Sequence, residues 1–201
     1  MNVKKWVVTH FPTIKKGASV GDALHTMREY ACDYCIALDE EEKFDGVLYK
    51  SSIWEANMDE KIDDYITFPD FYVVEDSNVE EAALMMIENR DQILPVVNNN
   101  AEVIGVLGVQ EILEAFTELS AMDEPGIRII LELADRPGEL KRIIDVLANN
   151  QVNILSILTL KDENSKRQIS IKVDSDDPES IASLLEIYEI KYLSIIEEEG
   201  F

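Results

Sequence analysis

The sequence has few of the residue types and none of the motifs that mark common enzyme and metal sites. Its 201 residues include two cysteines and two histidines. Cys32 and Cys35 form a C-x-x-C pair, but a zinc site needs about four ligands and no second pair exists, so we expect both to be structural. G-x-S-x-G, P-loop and H-E-x-x-H motifs are all absent. We therefore predict no catalytic residue and no metal ligand.

Long apolar runs and clustered cations are also lacking. No apolar run approaches the roughly 20 residues that span a bilayer, and the N-terminus shows no signal-peptide pattern. The 18 Lys and Arg residues face 41 Asp and Glu residues, which gives a net charge of −23. Nucleic acids and anionic membranes both require clustered Lys and Arg. We expect a cytoplasmic protein with neither a nucleic-acid partner nor a membrane partner.

An internal repeat is the most informative feature that is present. From Val20 to Ala56 the chain matches itself at a constant offset of 59, which pairs Val20 with Val79 and Gly46 with Gly105. The predicted copies occupy residues 1–60 and 61–122. Each copy has the pattern β-α-β-β-α, with its last helix predicted over "SSIWEAN" in the first copy and "QEILEAFTEL" in the second.

Polar residues three positions apart precede the first helix of each copy. Ser19 and Asp22 hold these positions in the first copy, and Asn78 and Glu81 hold them in the second. This spacing predicts a capping box at the start of both helices.

With "ILPVVNNNAEVIGVLGVQEIL" in the second copy, the repeat resembles the CBS motif. Two motifs in tandem resemble a CBS pair, in which the copies pack sheet to sheet around a pseudo-two-fold axis. The first copy lacks the proline that Pro95 supplies in the second.

The segment 127–201 forms a third unit with the predicted order β-α-β-β-α-β, the ferredoxin-like arrangement. Its first helix is predicted from Pro137 to Asn149, because proline suits the first helical turn. The turn "DENS" at 162–165 is predicted to join the second and third strands. The stretch "ADRPGELKRIIDVLANNQVNILSI" resembles the ACT domain, whose pattern has D-R-P-G-x-L before the first helix and N-I at the second strand.

We therefore expect an α+β fold, with an order of units that resembles CBS–CBS–ACT. This order resembles the acetoin-utilisation B-type proteins. That resemblance implies a genetic setting and names no reaction.

In CBS pairs that bind adenine nucleotides, a Thr or Ser lies three residues after the strand glycine and an Asp or Asn lies six after. The resemblance assigns the hydroxyl to phosphate and the carboxylate to ribose. Tyr49 and Ser52 occupy these positions in the first copy, and Gly108 and Glu111 in the second, so both copies depart from the pattern. The candidate ligands are AMP, ATP and S-adenosylmethionine. The predicted nucleotide-binding residues are Thr13, Ile14, Ile36, Tyr49, Lys50, Ser51, Ser52, Phe71, Leu94, Pro95, Gly108 and Glu111.

The ACT resemblance implies a second site, for an amino acid or a related metabolite. N–H groups at a helix N-terminus favour a carboxylate, and the Asn153 amide offers both a donor and an acceptor. The alternative is that these residues only shape turns. The predicted residues are Asp135, Pro137, Gly138, Glu139, Leu140, Asn153 and Ile154.

Two functions remain open at this point. The first is a non-enzymatic regulatory protein that senses a small-molecule effector. The second is a ligand-free dimeric scaffold that regulates or holds an enzyme partner. A homodimer is expected in either case, because an open ACT sheet edge exposes unpaired backbone groups.

Overall fold

The computed structural model describes residues 1–161 and 166–200, which form two compact units, Met1–Ala115 and Phe116–Phe201. The predicted turn at 162–165 lies outside the described residues. Helices and strands alternate through both units, and the α+β prediction is confirmed. Within the described ranges, no helix has the length and apolar character needed to cross a bilayer.

The first copy contains β1 (Thr13–Lys15), α1 (Val20–Glu29), β2 (Tyr34–Leu38) and β3 (Phe44–Tyr49). β2 pairs with β1 in parallel and with β3 antiparallel. The last helix predicted for this copy is wrong, because only a 3-10 turn forms at Lys50–Ile53. Two successive serines, which compete with helical backbone hydrogen bonds, weaken this segment.

The second copy repeats the arrangement with β4 (Val73–Val74), α2 (Val79–Asn89), β5 (Ile93–Val97), β6 (Val103–Gly108) and α3 (Val109–Leu119). β5 pairs with β4 in parallel and with β6 antiparallel. Here the last helix forms in full, because "VQEILEAFTEL" consists mainly of strong helix formers.

The two predicted capping boxes have different outcomes. Ser19 Oγ accepts from the Asp22 N–H at 3.1 Å, and the Asp22 carboxylate accepts from the Ser19 N–H at 3.1 Å, which confirms the first. Asn78 makes no side-chain cap, so the second prediction is wrong. The Asn78 Oδ1 atom instead accepts from the terminal ammonium of Met1 at 3.3 Å.

The N-terminal segment of each copy packs on the other copy. Val8 exchanges two backbone hydrogen bonds with Val106 of β6, at 2.9 and 3.0 Å. The equivalent Thr67 exchanges two with Val47 of β3, at 2.7 and 3.0 Å. Val3 is fully buried in the core of the second copy. These backbone hydrogen bonds join the two copies along their strands. Each packed half of the CBS pair therefore includes an N-terminal segment from the other sequence copy.

The Phe116–Phe201 unit contains β7 (Gly126–Ala134), α4 (Glu139–Asn149), β8 (Ile154–Lys161), β9 (Lys166–Val173), α5 (Pro178–Ile187) and β10 (Ser194–Glu198). The sheet order is β10-β7-β9-β8 with antiparallel pairs, as in the ferredoxin-like arrangement. Alternate apolar residues of β7 and β9 pack against apolar residues of both helices.

The predicted start of α4 at Pro137 is wrong, because the helix begins at Glu139. Gly138 precedes it with φ of 94°, a left-handed conformation that ends helical continuity with Pro137. A Cβ at Gly138 would meet no atom within 4 Å, so the backbone angle alone favours glycine here.

A buried ion cluster lies in the same sheet. Lys172 of β9 has no exposed surface, and its Nζ lies 2.8 Å from Glu198 Oε2 and donates to the Glu124 carbonyl. Arg128 of β7 donates to both oxygens of the same carboxylate, at 2.6 and 2.9 Å. Arg128 also donates to the Ser120 carbonyl at 3.2 Å. One carboxylate thus serves two cations, while two backbone carbonyls and the Ser170 hydroxyl accept further hydrogen bonds from Lys172 and Arg128.

Candidate functional site: the inter-copy cleft

A cavity of about 680 Å³ lies between the copies, where β3 and β6 end. We call it the inter-copy cleft. Its walls include Tyr34 and Tyr49 from the first copy and Asp91, Gly108 and Glu111 from the second. Small-molecule sites occupy roughly 300–1,000 Å³ and combine apolar walls with a few polar groups. The size and lining of the cleft suit a ligand of that kind.

Tyr49 links the two copies across this cleft. Its hydroxyl donates to the Asp91 carboxylate, and its ring meets Phe68 edge-on with centroids 6.2 Å apart. The second Asp91 oxygen accepts from the Gln92 N–H at 2.7 Å. Burial, followed by the hydrogen bond to Asp91, raises the pKa of Tyr49 far above its ordinary value. The phenol therefore stays protonated and remains a donor.

Glu111 turns back to the residue that precedes α3. Its Oε2 atom accepts from the Gly108 N–H at 2.8 Å. A Cβ built at Gly108 would lie 2.6 Å from that oxygen, so glycine leaves the space that the carboxylate occupies. The Tyr34 phenol lies in the same wall. Burial raises its pKa to about 12, with contributions from Cys32 and Glu111.

The other predicted nucleotide-binding residues are dispersed. Ile36 and Leu94 have no exposed surface and belong to the core. Pro95 pairs with Val106 inside the second sheet. The Lys50 ammonium is 2.8 Å from Asp33. The roles assigned to these residues remain predictions.

The remaining predicted positions lie in β1, in the 3-10 turn and just before β4. Thr13 and Ile14 begin β1, with Ile14 buried. Ser51 and Ser52 are exposed in the 3-10 turn. Phe71 packs in the core of the second copy, with its ring 5.8 Å from that of Phe68.

Sequence reasoning missed Tyr34 and Asp91. Tyr34 begins the central strand of its copy, and Asp91 aligns with Cys32 at the repeat offset. Because β2 starts beside the end of β3, the repeat itself indicates that residues before the central strands meet those after the last strands. That relation was the available signal.

The predicted amino-acid-binding residues split between the two ends of the ACT sheet. Asp135 follows β7, and its Oδ1 accepts from Arg167 Nε at 2.7 Å beside a cavity of about 380 Å³. Pro137, Glu139 and Leu140 line that cavity too. Gly138 lies in the same turn.

Asn153 and Ile154 lie at the other end of the sheet. Ala134 pairs with Lys166, whereas Ile154 pairs with Val173, seven residues further along β9. At about 3.4 Å per residue the separation is about 24 Å. A single chain therefore does not bring Asn153 to the turn that contains Asp135.

Comparison with known families agrees with this architecture. The CBS domain family matches residues 3–53 and 62–118, and the ACT domain family matches residues 127–189. The chain belongs to the CBS domain family and carries an ACT domain after the CBS pair. CBS and ACT domains are regulatory modules that sense small molecules.

Three similar proteins show the range of contexts. A CBS domain pair/ACT domain protein from Thermotoga maritima is 36% identical, with a TM-score of 0.56 over 59% of this chain and 98% of that one. CBSX2, solved in complex with AMP, is 22% identical with a TM-score of 0.51 over 57% and 95% of the respective chains, and shows the fold alone. Inosine-5'-monophosphate dehydrogenase of Methanocaldococcus jannaschii is 25% identical over 137 residues, which are 68% of this chain and 28% of that enzyme. The chain thus matches less than a third of that enzyme's length.

Proposed function

We propose that this protein is a cytoplasmic, non-enzymatic regulator that senses a small molecule. Its CBS pair would bind an adenine nucleotide or S-adenosylmethionine, and its ACT domain an amino acid or related metabolite. The observation that carries the proposal is the inter-copy cleft, a cavity of about 680 Å³ lined by convergent hydroxyl, amide and carboxylate groups. The AMP complex of CBSX2, which has the same fold, supports an adenine ligand.

The ACT site proposed here requires a second copy of the chain. Because Asn153 and the turn at Asp135 lie at opposite ends of one sheet, a single site containing both needs two protomers. Both β8 and β10 are edge strands of the ACT sheet. An edge that pairs with its equivalent in a second copy would complete its backbone hydrogen bonds. A homodimer is therefore part of the proposal.

A specific observation favours the alternative of a dimeric scaffold that holds an enzyme partner. Tyr49, at the position given to a phosphate-binding hydroxyl, is engaged by Phe68 and Asp91. On α2 of the second copy, Leu84 and Ile87 are 55% and 73% exposed. Exposed apolar side chains at neighbouring helical positions are typical of contact surfaces.

Thermal unfolding of the full-length protein with AMP, ADP, ATP, S-adenosylmethionine and the twenty amino acids tests the proposal. A ligand that binds only the folded state at 100 times its dissociation constant adds about 2.7 kcal/mol. Val109→Trp should abolish any adenine-dependent shift, because Val109 lines the cleft and an indole ring in its place would fill it. Leu113→Trp, one turn along α3 and 61% exposed, is the matched control.

The ACT site is tested in the same assay. Asn153→Ala should remove a shift produced by an amino acid, whereas Asn149→Ala at the end of α4 should retain it. A wild-type protein whose unfolding temperature responds to no compound would support the scaffold.

A further inference from the structure

We infer that the inter-copy cleft contains its own anion in place of a ligand phosphate, and so selects an adenine compound that is neutral or cationic. This inference rests on the proposed function of the cleft. It concerns Gly108 and Glu111, the two positions at which the second copy departs from the nucleotide-binding pattern.

The first argument is the occupied donor before α3. N–H groups at the start of a helix are favourable positions for phosphate. Here the Gly108 N–H already donates to Glu111 Oε2 at 2.8 Å. A phosphate that approached this donor would have to displace a carboxylate of the same chain.

The second argument is that Gly108 leaves the space in which the Glu111 carboxylate lies. Any residue with a Cβ at position 108 would place it 2.6 Å from Glu111 Oε2. A threonine at 108 is therefore incompatible with the present position of the Glu111 side chain. Glycine at 108 and glutamate at 111 together form a consistent local structure that accommodates the carboxylate.

The third argument is the charge of the cleft. Asp91 and Glu111 contribute two carboxylates to its walls, and Arg90 contributes one guanidinium. Asp33 also lines the cleft, but it forms an ion pair with Lys50 at 2.8 Å. The net charge of these groups is −1, so a ligand phosphate meets repulsion and a cationic group meets attraction.

Isothermal titration calorimetry at low ionic strength tests the inference, since salt screens such discrimination. The probes are adenosine, S-adenosylmethionine, AMP and ATP. Wild-type protein should bind adenosine or S-adenosylmethionine at least about tenfold more tightly than AMP, the scale expected for a charged hydrogen-bonding group. Glu111→Gln should reduce this preference. Gly108→Thr combined with Glu111→Asp should reverse it.

Glu114→Gln is the matched control, because it removes one negative charge from the exposed side of the same helix and keeps an amide oxygen that can accept from the cleft-lining Gln110 side chain, as the Glu114 carboxylate does at 3.0 Å. It should leave the preference unchanged. Circular dichroism of each variant establishes that it is folded, and Glu111→Gln retains the shape of the side chain if the double variant does not fold.

The outcomes separate the inference from the proposed function. Equal affinity for AMP and adenosine in both wild type and Glu111→Gln would overturn the inference and leave adenine binding intact. If no adenine compound binds the wild type or any folded variant, both are overturned. Tighter AMP binding in Glu114→Gln would attribute the preference to overall charge and would also overturn the inference.

Discussion

Replacing Glu198 with glutamine should destabilise the ACT domain more than any single change to a surface ion pair. Among the described residues, the carboxylate of Glu198 is the one anion that contacts both Lys172, which has no exposed surface, and Arg128. Glu198→Gln keeps the size and one acceptor oxygen but leaves two buried cations without a counter-charge. The cost should therefore come from the uncompensated charge and not from lost packing.

The expected magnitude follows from the burial of the three groups. Removing one partner of a buried ion pair costs about 3–5 kcal/mol. The Glu198 side chain retains 27% exposure, so water can approach the cluster, and we expect the lower end, about 3 kcal/mol. Asp145→Asn, which breaks the exposed pair with Lys141 on α4, should cost at most about 0.5 kcal/mol.

The same cluster predicts a pH dependence. The hydrogen bond from Arg128, with a further one from Lys172, lowers the pKa of Glu198 below its ordinary value. A carboxyl whose pKa is lower in the folded state stabilises fully above its unfolded pKa, about 4.3, and loses that contribution as the pH falls through the folded pKa. The wild-type ACT domain should therefore lose stability below about pH 4, and Glu198→Gln should lose less.

Hydrogen exchange followed by mass spectrometry measures this effect locally. Peptides from β7 and β9 report the opening free energy of the ACT sheet. Tryptophan fluorescence would not report it, because both tryptophans, Trp6 and Trp54, lie in the CBS pair. Urea midpoints at pH 7 and pH 3.5, followed by circular dichroism, give the pH dependence. Equal protection in Glu198→Gln and Asp145→Asn, or an unchanged acid sensitivity in Glu198→Gln, would refute the reasoning.

Three further predictions concern the CBS pair. Burial raises the pKa of the Cys35 thiol to about 12, so iodoacetamide at pH 8 should label Cys32 alone in the native protein, and native labelling of both would contradict this. Gly105→Ala should lower the free energy of unfolding of the CBS pair by about 1–3 kcal/mol in urea, because its Cβ would lie 2.5 Å from the backbone oxygen of Val8. An unchanged urea midpoint would show that the segment containing Val8 moves freely. Ser19→Ala should cost about 1 kcal/mol, and Asn78→Ala, which removes no helix cap, should cost clearly less; equal costs would contradict the observed caps.

Local sequence patterns determined most of the fold. The 59-residue offset defined two equivalent copies, and alternating or helical apolar spacing placed nearly every strand and helix. The box at Ser19 was also predictable, because both of its partners lie within one turn of helix. The bond between Gly108 and Glu111 spans three residues as well, and the same spacing rule was its signal.

Predictions failed where a local preference was weak or met competition. The "SSIWEAN" segment has a helical apolar spacing, yet the structure has a short 3-10 turn there. The N–H groups at the start of α2 receive no cap from Asn78, whose side chain meets the chain's own N-terminus instead. Proline fits a first helical turn, but the left-handed angle of Gly138 placed Pro137 outside α4.

The sequence by itself determined the modules, their order and most of their elements, because those depend on spacings of a few residues. Only the tertiary structure decided that Val8 pairs with β6, that Tyr49 contacts Asp91, and that Asn153 lies far from Asp135. Each of these depends on which chain segments become neighbours after folding. Hydrogen bonds and charge pairs act over a few ångströms, so residues distant in sequence interact only when packing brings their side chains together.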